Sequence, residues 1–181
     1  MHLANLLLLS MTFMSVAFAP ASLAQTALAT PAHKPHVYTP YERLVYRNAM
    51  AFHKNFDDHQ FEKNKAFVSS DLHVISNGRE FRGADEYVKS IARFVGPFPD
   101  VRITDLSTVV DGNMAAVRFV ITGTHKGDFA TPEGVLHATY RAVKIDGIEY
   151  MTFNREGKVT DLLTVEDVAG LLRQLKAKTT N

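Results

Sequence analysis

Eight histidines, no cysteine and a scatter of carboxylates bound the chemistry open to this chain of 181 residues. Without a thiol there is no disulfide, zinc-thiolate site, cysteine nucleophile or lipoprotein anchor. His53, His59, His73, His125 and His137 lack a ligand spacing such as His-x-x-x-His on one element, so no metal is expected. His33 and His36 lie in a stretch rich in Ala, Thr and Pro and read as solvated linker histidines. No Gly-rich phosphate loop, dinucleotide fingerprint or Ser-His-Asp order is present, and no cofactor is expected. What remains is proton transfer by imidazole or carboxylate and hydrogen bonding by phenol.

Several of these groups take their positions from elements legible in the periodicity. Thr39-Pro40-Tyr41-Glu42 is a helix start: Thr39 caps, Pro40 suits the first turn and Glu42 completes a capping box. Apolar residues at Tyr41, Leu44, Val45, Ala49, Phe52 and Phe56 predict a helix to about Phe56. Tyr46 and His53 sit seven residues apart at the margin of that stripe. They are candidates to line a pocket beneath the helix, with a solvent-edge position as the alternative. A short helical piece carries Phe61, Ala66 and Phe67.

Leu72 to Arg82, turning at Asn77-Gly78, predicts a hairpin. A helix bearing Tyr87, Val88, Ile91, Phe94 and Val95 follows and ends at Gly96-Pro97-Phe98-Pro99. Four strands come next: Val101 to Val110, Ala115 to His125, Arg141 to Phe153 and Val159 to Val165. A loop with Pro132 and Gly134 interrupts them, and Gly147 reads as a bulge or bend. Glu166 to Lys176 closes the chain as a helix. Helices first and a meandering sheet after argue for α+β rather than alternating α/β. A strongly curved sheet with helices across its concave face leaves a mainly apolar pocket between the layers. His125, at a strand end, is placed to accept or donate a proton there, or to serve as a structural histidine bonded to its loop.

The composition sets further bounds. A net charge of +1, with Lys and Arg scattered, gives no basic stripe to recruit nucleic acid or an anionic membrane. Leu6 to Ala19 is apolar but short for a bilayer span. Ser22-Leu23-Ala24 then offers a small-x-small cleavage site, with Ala27-Leu28-Ala29 as a second. Residues 1–24 therefore read as a signal peptide cut after Ala24, 25–38 as a disordered linker and 39–181 as the domain. That organisation points to the periplasm or to secretion, with no membrane contact after processing; an uncleaved anchor is the alternative.

Phe98-Pro99-Asp100-Val101, Gly123-Thr124-His125-Lys126-Gly127-Asp128-Phe129, Glu156-Gly157-Lys158-Val159 and Asp167 to Leu175 resemble the SnoaL-like polyketide cyclase family. This family lies within the nuclear-transport-factor-two-like superfamily of cone-shaped α+β folds. The resemblance spans about Tyr41 to Leu175. It implies a curved, mostly antiparallel sheet with the N-terminal helices over its concave face, and pairing of two copies through the outer sheet face. Exposed apolar residues at alternate positions of Val117 to Ile121 would favour such a homodimer.

In cyclases of the family an acid near the end of the last strand, in His-Trp-Asp followed by Val-x-Asp, drives an intramolecular aldol closure. Here that segment is Leu162-Leu163-Thr164-Val165-Glu166-Asp167, with Thr164 where the acid would stand. A threonine does not shuttle protons near neutral pH. The loop from Phe129 to Arg141 is also longer than the family's by about four residues. The resemblance marks His125 as the motif histidine and Tyr150 as standing on the strand where some cyclases place a pocket histidine. These two are the catalytic candidates; Tyr46, His53, Phe129 and Thr164 are the pocket candidates. The alternative for Tyr150 is a ring in the core with its hydroxyl in water.

Asp128 reads as organising its turn and Asp167 as starting the last helix. Asp161 and Asp146 read as exposed. Three functions follow as expectations. The first is binding of a small, largely apolar molecule. The second is a cyclase or isomerase that moves a proton on a carbonyl compound. The third is a dimeric interaction module.

Overall fold

The computed structural model describes residues 36–131 and 133–176. The signal segment, most of the linker, His33 and Pro132 lie outside the described residues. Helix α1 (Pro40–Asp57) begins with the capping box: Thr39 Oγ1 accepts from the Glu42 amide at 3.2 Å, and Glu42 Oε2 from the Thr39 amide at 2.7 Å. Glu42 also accepts from the Gly112 amide at 3.1 Å, which ties the helix start to a strand turn. A 3-10 helix (Phe61–Phe67) and the hairpin of β1 (Val68–Ser76) and β2 (Arg79–Arg82) follow. Asn77 and Gly78 both take positive φ, as a tight two-residue turn requires.

After α2 (Ala84–Val95) come β3 (Arg102–Asp111) and β4 (Met114–Thr124). A small ribbon of β5 (Phe129–Thr131) and β6 (Gly134–Leu136) stands where the sequence predicts only a loop. β7 (Ala142–Phe153), β8 (Val159–Glu166) and α3 (Val168–Lys176) complete the chain. The fold is α+β. Six strands form one curved sheet in the order β2-β1-β8-β7-β4-β3, antiparallel except for the β1–β8 pair.

The closing helix starts two residues later than the periodicity predicts, because β8 runs on through Glu166. Asp167 caps it, accepting from the Gly170 amide at 2.7 Å. Gly147 is no bulge: it sits in regular register between Phe119 and Glu166. The irregularity lies in the β7–β8 pairing after Thr152, where β8 carries the extra residue, Thr160.

Every second residue of β7 from Val143 to Phe153 is buried, so one face of the strand packs against the helices. Val45, Phe52, Leu72 and Met151 belong to one apolar cluster, and Phe56, Phe98, Phe119 and Ile145 to a second. Among the described residues, no helix is long and apolar enough to cross a membrane.

Candidate functional site

The alternation that buries Met151 and Ile145 also carries Glu149 to the inner face, where a carboxylate needs a partner. His53 on α1 supplies it: its Nε2 lies 3.2 Å from Glu149 Oε2, and its Nδ1 2.5 Å from Asp105 Oδ1. Asp105 reaches this position through a bulge in β3 between Asp105 and Ser107. The extra residue there lets Asp105 meet His53 while Thr108, three residues on, meets Met50 of the same helix.

Burial alone would push the His53 imidazole down. The hydrogen bonds and charges of Asp105 and Glu149 outweigh it and raise His53 to about 9. The ring is thus an imidazolium at neutral pH, with one N–H donated to each carboxylate. Oε1 of Glu149 is buried and has no hydrogen-bond partner among the described residues.

This trio stands at the wall of a cavity of about 370 Å³ between the sheet, α1 and α2, to which His53 and Glu149 both contribute. Phe52, Phe94, Phe119, Phe129 and Ile91 give it an apolar lining. Such a volume and lining suit a small organic molecule. A second carboxylate, Glu166 at the end of β8, also lines it. Gly147 opposes Glu166 and Thr164 opposes Glu149 across β7 and β8, so the two acids form a diagonal pair on one face.

Asn77, the hairpin residue, holds Glu166 from both ends. Its Nδ2 donates to Oε2, and its Oδ1 accepts from the Glu166 amide, each at 2.8 Å. Burial raises the pKa of Glu166, and the charge of Glu149 adds to this against the Asn77 bond. Space for Glu166 and for the Phe119 ring comes from Gly147. A Cβ there would lie 2.5 Å from the ring and 3.3 Å from Glu166 Cγ.

Of the residues singled out from sequence, His53, Phe129 and Thr164 line the cavity. His53 is 3% exposed, so the solvent-edge alternative does not describe it; the β3 bulge covers that edge of α1. Tyr46 is outside the cavity, exposed and stacked on Tyr38 with ring centroids 6.1 Å apart. Tyr150 also lies outside. One residue from Glu149, it projects from the outer face, with its hydroxyl 2.6 Å from Met114 Sδ.

His125 is fully buried but is not part of the cavity lining. Its ring packs on Phe98, with centroids 5.3 Å apart, and Nδ1 accepts from the Thr139 amide at 3.2 Å. Burial lowers its pKa, so it is a neutral loop anchor. Asp128 pairs with His137, Asp146 with Arg118 and Asp161 with His73, all on exposed carboxylates. Among the described residues, no three His, Asp or Glu side chains are placed to share a metal ion.

Sequence reasoning missed Glu149, Asp105 and Glu166. The signal available for Glu149 was the alternation of β7, in which an acid shares parity with Val143, Ile145 and Met151.

The family model described as SnoaL-like polyketide cyclase matches residues 47–175. Among solved structures, one named as a SnoaL-like polyketide cyclase, from Jannaschia sp. CCS1, superposes with a TM-score of 0.71 at 14% identity. It covers 79% of this chain and 99% of its own. AclR from Streptomyces galilaeus, named as a hydroxylase, gives 0.66 at 21% identity over 74% of this chain and 96% of its own. A SnoaL-like polyketide cyclase from Agrobacterium tumefaciens gives 0.60 at 22% identity over 72% and 97%. At these identities the likeness establishes the nuclear-transport-factor-two-like fold, and the differing names show that the fold alone does not set the chemistry. No curated protein sequence matches the chain.

Proposed function

The chain belongs to the SnoaL-like polyketide cyclase family, and we propose that it binds a small, largely apolar carbonyl compound in the interior cavity and moves a proton on it. The observation that carries this reading is the His53 imidazolium clamped between Asp105 and Glu149 at the wall of an apolar cavity. Such an ionic trio costs desolvation where apolar side chains would pack as well, and perturbed titratable groups concentrate at functional sites.

In the proposed reaction, the Glu149 carboxylate takes a proton from the carbon next to the carbonyl. The C–H electron pair moves into the C–C bond as the carbonyl becomes an enolate. Glu166, whose burial favours its protonated form, donates a hydrogen bond or its proton to that oxygen. His53 is a positioning residue: it fixes the Glu149 carboxylate and is itself fixed by Asp105. Thr164, where the family's acid would stand, contributes a wall between the two glutamates, so the acid function moves to its neighbours.

Native mass spectrometry of the protein purified without detergent tests the reading. A discrete added mass identifies the ligand class. With that compound, Glu149→Gln should abolish turnover and keep affinity within a few-fold. An apo mass, with no stabilisation by a panel of apolar ketones and β-keto esters, would contradict it.

A second reading, as a homodimer through the outer sheet face, rests on exposed apolar residues there. Ile148 and Val165 are more than half exposed, and Leu163 and Tyr150 stand beside them. The positions expected from sequence do not serve, because Val117, Phe119 and Ile121 are buried. A monomer by light scattering at all workable concentrations would end this reading. Export is likewise a proposal: the apolar stretch Leu6 to Ala19 and the site at Ala24 support it. An exported form beginning at Gln25 is the outcome expected from N-terminal sequencing, and an intact N-terminus would contradict it.

A further inference from the structure

The outer part of the cavity differs in charge from its floor. Arg79, at the start of β2, and Arg93, in the last turn of α2, both line it, and both are substantially exposed. They reach the same carboxylate: Arg93 Nη2 lies 2.8 Å from Glu86 Oε1, and Arg79 Nη2 3.6 Å from the same oxygen. The two guanidiniums are therefore neighbours, and one acid serves both. Glu86 itself is not among the cavity-lining residues.

The shared Glu86 cannot neutralise both cations, and each guanidinium presents five N–H donors in a planar fork. The Arg79 guanidinium also lies 5.8 Å from the centroid of the Phe81 ring, another lining residue, which holds it at the mouth rather than free in solvent. Ser76, Ser90 and Asn77 add hydrogen-bonding groups to the same lining.

Resting on the reading of the cavity as a ligand site, we propose that its ligand carries a carboxylate, held by Arg79 and Arg93 at the mouth, with the apolar body directed inward toward Glu149. This adds polarity and direction to the substrate class: an apolar molecule with an acid at one end and its reacting carbon at the other. Bidentate guanidinium–carboxylate geometry supplies both affinity and orientation. An acid group kept at the exposed arginines stays away from Glu149, whose buried carboxylate would repel it.

A matched pair of probes tests this: 2-naphthoate and its methyl ester, titrated by calorimetry into the wild-type protein, Arg79→Gln/Arg93→Gln and Glu86→Gln. The acid should bind about ten-fold more tightly than the ester. The double variant should lose that preference while its ester affinity stays unchanged. Glu86→Gln, which frees both guanidiniums, should tighten the acid several-fold and leave the ester alone, a gain that misfolding cannot produce. Equal binding of acid and ester by wild type overturns the carboxylate proposal and leaves the cavity reading standing. Binding of neither probe overturns both.

Discussion

His53 and Glu149, 96 residues apart in the chain, meet at 3.2 Å in the interior and bridge α1 to β7. One is on a helix announced by its capping box, the other on the strand expected over Arg141 to Phe153. Their contact turns an apolar layer interface into a site with a fixed charge arrangement. Asp105 completes that arrangement from a third element.

The stability of the fold should depend on the His53 proton. Its folded pKa, about 9, lies above the unfolded value of about 6.5. The stabilisation is therefore fully present below pH 6.5 and is lost as pH rises through 9, amounting to on the order of 3 kcal/mol. Urea unfolding between pH 6 and 10 should show this decline. Histidine NMR should find the His53 ring still protonated at pH 8.

Asp105→Asn should remove one of the two groups that hold the charge. The His53 pKa falls, and at pH 6 the variant should lose about 1.5–3 kcal/mol, part of the stabilisation that both carboxylates give together. At pH 10, where His53 is neutral in both proteins, the difference should shrink. A penalty constant from pH 6 to pH 10 would mean that Asp105 acts through packing alone.

Gly147→Ala should be poorly tolerated despite the small change. The added methyl meets the Phe119 ring at 2.5 Å, and the sheet register leaves no room to withdraw. Overpacking of this kind costs about 1–3 kcal/mol, readable as a lowered melting temperature. Ligand binding should also weaken, because Phe119 and Glu166 both line the cavity.

The two residues that sequence marks as catalytic should separate in experiment. His125→Ala empties a fully buried position packed on Phe98 and should cost about 2–4 kcal/mol of stability. Tyr150→Phe removes a hydroxyl from an exposed outer-face ring and should change stability by less than about 0.5 kcal/mol. Neither should alter turnover per folded molecule. A large loss of turnover in folded His125→Ala would return that histidine to the site.

What the sequence makes legible is local. The Thr39 capping box and the Asn77-Gly78 turn are written in adjacent residues, and both stand as read. The site is not local. Tyr150 and Glu149 differ by one position; parity with Val143, Ile145 and Met151 tells which of them faces inward, but nothing local tells that Glu149 meets His53 there. Asp105 depends on a bulge that no turn residue announces. Glu166 precedes the Asp167 cap and reads as part of the helix, whereas β8 claims it and turns it toward the cavity. The family motif draws attention to His125, whose conspicuous position serves the loop that it anchors.

Proton transfer to Glu149 from a bound carbonyl compound leaves a trace at the carbon that gives up the proton. The most direct measurement follows deuterium entering the carbon next to the carbonyl, by NMR in D2O, for compounds that bind the purified protein. Exchange should run well above the buffer rate with wild type, and at the buffer rate with Glu149→Gln despite retained binding. Exchange at the buffer rate with wild type for every bound compound, or undiminished exchange in Glu149→Gln, would contradict it.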